Sequence, residues 1–159
     1  MSEEIHRRKR LCHESPFTFA SGSLREVYFL TICTKERGPN QLAKPEVWKV
    51  ILESIEDRNR RELWNCSVFV AMPDHVHLLA SFDGPEKMGF VITQWKRWIA
   101  HNTDVRWQRD FFDHRLRSFE SAAGKARYIY LNPVRGGLVN GAEKWPYFWK
   151  RDGLPMRDR

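Results

Sequence analysis

The alternation of apolar and polar residues along the chain predicts four strands. REVYFLTICTK (25–35) and CSVFVAM (66–72) are rich in β-branched and aromatic residues, which is typical of strands. HVHLLASF (75–82) continues after a Pro-Asp turn, so it is predicted to pair with the second strand as a hairpin. VRWQRDFF (105–112) is the fourth predicted strand, and its charges make its pattern the least regular.

Apolar residues at helical spacing predict a helix in each of the two longer gaps between these strands. The apolar positions of the first helix are Val47, Val50, Ile51 and Ile55, and those of the second are Met88, Val91, Ile92, Trp95 and Ile99. A third helix is predicted from about Ser118 to Leu131. The order βαββαβ indicates an α+β, ferredoxin-like split βαβ fold. Two helices then cover one face of an antiparallel sheet, and the third helix lies over or beside the open face.

Composition narrows the class of protein. The chain has 159 residues, 42% of them hydrophobic, which suits a single domain. A formal net charge of +7 favours a polyanionic partner, with nucleic acid first and an acidic membrane surface second. No apolar run approaches a transmembrane helix, and the first ten residues lack the apolar core of a signal peptide. We therefore expect a soluble, cytoplasmic protein, which would associate with the nucleoid if its partner is DNA.

Three segments are predicted along the chain: a basic lead-in over 1–23, one domain over 24–149 and a loose basic tail over 150–159. The basic residues 7–10 fit a DNA-contacting arm and a solvated leader equally well. The three cysteines are odd in number and contain no CxxC pair, so we expect reduced, structural thiols.

Two histidines stand out in the third strand. Strand alternation places Val76 and Leu78 on the side of the helix-covered core and His75 and His77 on the open side. Side chains two apart on a strand are about 7 Å apart at the backbone, which lets two imidazoles converge on one ion. An isolated His-x-His is more often a pair of surface histidines, so the metal interpretation needs a third ligand. Asp74 precedes the pair as a turn residue or as a hydrogen-bonding partner that orients an imidazole.

The third helix supplies candidates for a ligand and a nucleophile. At 100° per residue its polar stripe comprises Ser121, Lys125, Tyr128, Asn132 and Arg135. Tyr128 and Asn132 lie one turn apart on this stripe, whereas Tyr130 points towards the apolar side. Pro133 disfavours helical geometry at Asn132, so the helix is predicted to end near that residue.

A tyrosine, two histidines and an amide fit one kind of chemistry. A phenol is a weak nucleophile at neutral pH, but a metal ion makes a phosphodiester a better electrophile. Attack by Tyr128 gives a phosphotyrosine that keeps the energy of the broken bond, which allows a strand to be rejoined without ATP. Two imidazoles and an amide oxygen suit Mn²⁺ or a similar ion, and Mg²⁺ is the alternative.

The motifs MPDHVHLL, FFDHRLRS and YIYLNPVRGGL, in this order, resemble those of the HUH single-tyrosine transposases, and within them the REP-associated tyrosine transposases. The resemblance covers about Leu24 to Trp149. It implies that His75, His77 and Asn132 hold a divalent ion and that Tyr128 becomes joined to the 5′-phosphate of cleaved single-stranded DNA. It also implies a homodimer, hairpin DNA as the partner and no small-molecule cofactor. The wider insertion-sequence relatives carry Gln where this chain has Asn132, whereas the REP-associated group uses Asn.

Two alternatives stay open. One is a catalytically silent, domesticated protein that binds hairpin DNA without turnover, and the other is a metal-dependent phosphodiesterase in which water attacks. Arg97, Lys125 and Arg135 are candidates for phosphate contacts. His114 is a candidate for shaping a DNA pocket, although a lone histidine is more often structural.

Overall fold

The computed structural model describes residues 26–117 and 119–154. The strands are β1 (Val27–Cys33), β2 (Asn65–Ala71), β3 (His75–Ser81), β4 (Phe112–Arg115) and β5 (Phe148–Lys150). The helices are α1 (Pro45–Arg60), α2 (Pro85–Asn102) and α3 (Phe119–Arg135), with a 3₁₀ turn at Ala142–Lys144. The predicted lead-in, 1–23, lies outside the described residues. No helix in the described ranges is long and apolar enough to cross a membrane.

The five strands form one antiparallel sheet in the order β4-β1-β3-β2-β5. The first four strands therefore have the split βαβ arrangement, and the prediction of an α+β fold with an antiparallel sheet is confirmed. β1 and β3 are the central pair, so residues that sit on β3 are supported by a strand on each side.

Helices α1 and α2 cover one face of the sheet, as predicted. Their residues that are fully buried against it are Ile51, Ile55, Ile92, Trp95 and Ile99. The two helices are also joined by a buried hydrogen bond, in which Trp95 Nε1 donates to Ser54 Oγ over 2.9 Å. The apolar core on this face is the larger of the two.

Helix α3 lies on the opposite face. It buries Ala122, Ala126 and Ile129 against sheet residues that include Val68 and Leu79. Pro133 lies inside this helix, which runs on to Arg135 instead of ending near Asn132 as the sequence predicted. The helix ends three residues after Asn132 with the Gly136 amide donating to the Asn132 carbonyl (2.9 Å), so one more turn is completed despite the proline.

The position of the fourth strand was predicted wrongly. β4 is Phe112–Arg115, after most of the predicted segment 105–112, and only Trp107 of that segment forms an isolated bridge, with Thr34. The indole of Trp107 packs on Trp95 with ring centroids 5.3 Å apart. Trp107, one of the aromatic residues in the predicted strand, therefore extends the apolar core.

The predicted tail also begins too early, because packed structure continues past Trp149. Lys150 is the last residue of β5, which pairs with β2. Arg151 donates its backbone N–H to the Ser67 carbonyl (2.8 Å), and Leu154 is 4% exposed. Trp145 also ties this end of the chain to the sheet, because its Nε1 donates to the Ala71 carbonyl over 3.0 Å.

Candidate active site

The two histidines lie side by side on the α3 face of β3. Their ring centroids are 4.7 Å apart. In the register of the central strands, His77 is opposite Thr31 and His75 is opposite Cys33. The neighbouring residues Val76 and Leu78 belong to the other core, so the predicted division of β3 into two faces is confirmed.

His77 is held in a neutral form. It is 8% exposed, and its Nδ1 lies 2.9 Å from Thr31 Oγ1. Burial, reinforced by the nearby His75, lowers the pKa of His77 to about 3. In the tautomer with its proton on Nδ1, this imidazole donates to the threonine hydroxyl and presents Nε2 as a lone-pair donor.

His75 is oriented by a carboxylate. Its Nδ1–H donates to Asp74 Oδ1 over 2.7 Å. The other oxygen of Asp74 accepts from Arg37 Nε and from the Gly38 amide, each over 2.9 Å. Partial burial by itself raises the pKa of Asp74, but these hydrogen bonds outweigh burial and hold the pKa of the carboxyl well below its usual range. Asp74 is thus an ionised acceptor that fixes the orientation of His75.

The loop between β1 and α1 supports this arrangement. Besides the contacts of Arg37 and Gly38, the Thr34 amide and hydroxyl both donate to the Asp74 carbonyl over 2.9 Å. The amides of Gln41 and Leu42 donate to the carbonyl of the adjacent Pro73. The turn that precedes His75 is therefore tied to the loop at several points.

Tyr128 is the tyrosine of α3 that faces the histidines. Its ring centroid lies 6.1 Å from that of His77 and 6.0 Å from that of Phe29, which itself stacks on His77 at 5.2 Å. Tyr130 packs instead on Phe148, with centroids 5.0 Å apart. The prediction that these two tyrosines point to different sides is confirmed.

Tyr128 lines an open cleft of about 420 Å³, which we call the tyrosine cleft. Its lining residues are His114, Leu116, Ser121, Gly124, Lys125, Arg127, Tyr128 and Arg135. Lys125 Nζ lies 4.9 Å and Arg135 Cζ 4.8 Å from the centroid of the Tyr128 ring. These are cation–π distances, so two cations flank the phenol and give the cleft a positive character.

The imidazole pair fits a divalent ion. A metal–imidazole bond of about 2.1 Å places an ion about 3.2 Å from each ring centroid, so the centroids of two rings that share an ion are at most about 6.4 Å apart. The observed 4.7 Å is within this limit. Because both Nδ1 atoms have partners, Nε2 is the atom of each ring that would be left to bind an ion.

The sequence predicts the amide of Asn132 as the third ligand. Within 26–117 and 119–154, no group of three His, Cys, Asp or Glu side chains is placed to hold a metal ion. Asn132 lies on α3 one turn after Tyr128 and is half-buried. Its role as the third ligand stays a prediction.

The predicted DNA-contacting residues fall into two groups. Lys125 and Arg135 are in the tyrosine cleft. Arg97 is exposed on α2, on the other side of the sheet. Its neighbour Lys96 donates to the carbonyls of Gln108 and Arg109 and so has a structural use. The structure therefore does not bring Arg97 to the site.

His114 belongs to the site more closely than the sequence indicated. It is on β4 opposite Phe29 and lines the tyrosine cleft. With the observed bounds of β4, strand alternation places His114 on the same face as the two histidines. Arg37 is a further residue of the candidate site that the sequence does not indicate, because its hydrogen bond to Asp74 joins residues 37 positions apart.

Two curated relatives are similar to this chain. One is a Haemophilus influenzae protein assigned as a REP-associated tyrosine transposase, 29% identical over 93 residues, which are 48% of this chain and 53% of that protein. The other is the REP-associated tyrosine transposase of Escherichia coli, 24% identical over 125 residues, which are 76% of this chain and 73% of that protein. The first match spans about half of its relative. No protein-family model matches the chain.

The fold is also similar to that of a REP-associated tyrosine transposase solved with a REP hairpin bound. The TM-score is 0.61 at 20% identity, and the match covers 84% of this chain and 89% of that one. The names of the relatives and the likeness of the fold confirm the resemblance that the motifs indicated.

Proposed function

We propose that this protein is a tyrosine transposase-like endonuclease and strand transferase that acts on single-stranded DNA beside a hairpin. The observation that carries the proposal is the position of Tyr128, whose ring is 6.1 Å from that of His77 and is flanked by Lys125 and Arg135. A phenol, two imidazoles and two cations thus converge at one place. Binding alone would not need a nucleophile beside such a pair.

In the proposed reaction the Tyr128 hydroxyl attacks a backbone phosphorus. A bond forms between Tyr128 Oη and phosphorus, and the bond from phosphorus to the 3′-oxygen breaks. The 3′-oxygen takes a proton from solvent and leaves as a free 3′-hydroxyl, and the phenolic proton passes to solvent. The product is a 5′-phosphotyrosine, which a second 3′-hydroxyl attacks to rejoin a strand and release Tyr128.

His75, His77 and Asn132 would hold a divalent ion, Mn²⁺ or Mg²⁺. When bound, such an ion polarises the phosphate and stabilises the charge of the leaving oxygen. The protein contributes preorganisation, because Asp74 and Thr31 fix the two imidazoles. Lys125 and Arg135 would hold the phosphate against the tyrosine ring and offset its charge.

The proposed partner is hairpin DNA with an unpaired flank. The support is the hairpin bound to the neighbour of similar fold, together with the +7 charge of this chain.

We further propose that the protein acts as a homodimer. Light scattering of the protein with and without a hairpin oligonucleotide measures the mass, and a single-chain mass in both samples would contradict the dimer.

The test incubates the protein with labelled hairpin oligonucleotides that carry single-stranded flanks, with Mn²⁺, with Mg²⁺ and with a chelator. The expected result is label that migrates with protein on a denaturing gel in the presence of metal. Tyr128→Phe should remove this adduct, with a loss of at least about 10³-fold. Tyr130→Phe is the matched control and should retain it, because its ring faces Phe148.

Each other outcome favours a named alternative. Tight binding with neither adduct nor cleavage would replace the proposal with a hairpin-binding protein. Cleavage that persists in Tyr128→Phe would replace it with a phosphodiesterase that uses water. Loss of the adduct in Tyr130→Phe alone would make Tyr130 the nucleophile.

A further inference from the structure

Phe112 is the most exposed large apolar side chain among the described residues. It is 70% exposed although it belongs to a strand, β4. β4 is at the edge of the sheet, where one side of the strand has no neighbouring strand within the described ranges. Leaving an aromatic ring in water is unfavourable. The position of Phe112 relative to the candidate site therefore indicates what the ring could bind.

The sheet register places Phe112 in the same row as the metal-ligand candidate. Thr31 of β1 pairs with Phe112 on one side and with His77 on the other. Directly opposed residues point to the same face of a sheet. With strands about 4.8 Å apart, the backbones of Phe112 and His77 are about 10 Å apart across that face.

Phe112 also adjoins the tyrosine cleft. His114, two residues further along β4, lines the cleft and shares the face of Phe112. Two residues along a strand span about 7 Å. Asp113 is opposite Leu30 and so points to the other face, away from the cleft. None of the described residues that line the cleft is acidic, and three of them are Lys or Arg.

We propose that Phe112 is a stacking platform for an unpaired nucleobase of the DNA strand whose phosphate lies in the tyrosine cleft. This rests on the proposed function and adds a subsite to it. The phosphates would follow the cations of the cleft, and a base next to the reacting phosphate would turn onto the exposed ring. Stacking on an aromatic side chain is a sequence-tolerant way to bind single strands, because every base has a π-face.

The platform would make the site prefer single strands. In a duplex the bases are already paired and stacked, so none is free to cover Phe112 unless the duplex opens. The cations of the cleft contact phosphates of either form. Phe112 therefore contributes to selection of unpaired DNA, and Lys125 and Arg135 contribute to affinity for both.

The experiment measures the dissociation constant of a fluorescein-labelled single-stranded oligonucleotide and of the same sequence as a duplex. All proteins carry Tyr128→Phe, which keeps the ring and prevents cleavage. Phe112→Ala should weaken single-strand binding by roughly 5- to 150-fold and leave duplex binding nearly unchanged. Phe112→Trp should restore single-strand binding. Phe90→Ala is the matched control, because Phe90 is 63% exposed but lies on α2, beyond the opposite face.

The outcomes separate the platform from the chemistry. Equal binding by Phe112→Ala and its parent, or equal losses in Phe112→Ala and Phe90→Ala, would overturn the platform. A change in oligomeric mass with unchanged binding would overturn it too, because Phe112 would then be an interface residue. The metal-dependent adduct of the protein with Tyr128 intact reports the proposed function separately. A protein that forms no adduct but loses single-strand binding in Phe112→Ala keeps the platform and loses the strand-transfer proposal.

Discussion

The two faces of the sheet differ in what they do with the same strand. On β3, Val76, Leu78 and Ala80 point to α1 and α2 and are at most 1% exposed. On the other face, His75 and His77 point to the side of α3. The alternation of one strand therefore supplies a packed core to one side and the candidate site to the other.

The difference follows from the helices. α1 and α2 bury large side chains such as Ile55, Ile92 and Trp95, which fill the space above the sheet. α3 buries Ile129 and the small Ala122 and Ala126, and it leaves a cleft beside Tyr128. Because α3 covers its face of the sheet incompletely, polar side chains of that face stay accessible. Most of the apolar burial is supplied by α1 and α2 on the other face.

The comparison predicts that stability and activity can be removed separately. Leu78→Ala deletes a fully buried side chain from the α1–α2 core and should lower the free energy of unfolding by about 2–5 kcal/mol, as measured by urea denaturation. Tyr128→Phe removes one hydroxyl from the edge of an open cleft and should change stability by less than about 0.5 kcal/mol while abolishing the adduct.

The division between the faces would break down if the two variants behaved alike. A loss of stability in Tyr128→Phe as large as that in Leu78→Ala would mean that the α3 face is also a structural core. A folded Leu78→Ala protein should still form the adduct at temperatures below its unfolding transition.

Most of the fold could be predicted because its long elements carry local patterns. The spacing of Val47, Ile51 and Ile55 is sufficient to indicate α1, and the alternation around His77 is sufficient to indicate β3. The short edge strands β4 and β5 could not be located in the same way. Four and three residues carry too little periodicity, and their positions depend on pairing with distant strands.

The candidate site shows the same limit. The facing of His75, His77 and Tyr128 is predictable because strand and helix periods put them on defined faces. The partnership of Arg37 with Asp74 spans 37 positions and depends on how one loop folds over a turn, which no local pattern encodes. Charge is the basis for predicting a DNA contact at Arg97, and charge alone does not reveal which side of the sheet a residue lies on.

The hydrogen bond from His75 to Asp74 gives a prediction about metal affinity. Asp74→Asn keeps the size of the side chain but removes the ionised acceptor that orients the imidazole. We expect Mn²⁺ affinity, measured by calorimetry, to fall about 10- to 100-fold. Asp113→Asn is a matched control on the other face of the sheet, opposite Leu30, and should bind Mn²⁺ as the unaltered protein does. Equal Mn²⁺ affinity in both variants would show that Asp74 does not support metal binding.

The smallest expected effect concerns two arginines on opposite sides of the sheet. Arg135 flanks Tyr128, so Arg135→Ala should remove about one phosphate contact and reduce the salt dependence of single-strand binding by about 0.7 in slope. Arg97→Ala removes the same charge from α2 and should leave the slope unchanged, because Arg97 is on the side away from the cleft. Measuring affinity across a salt series for both variants separates a local contact from net charge. Equal reductions would mean that DNA also follows the α2 side, and the proposed division of the molecule into a core face and a DNA face would then be wrong.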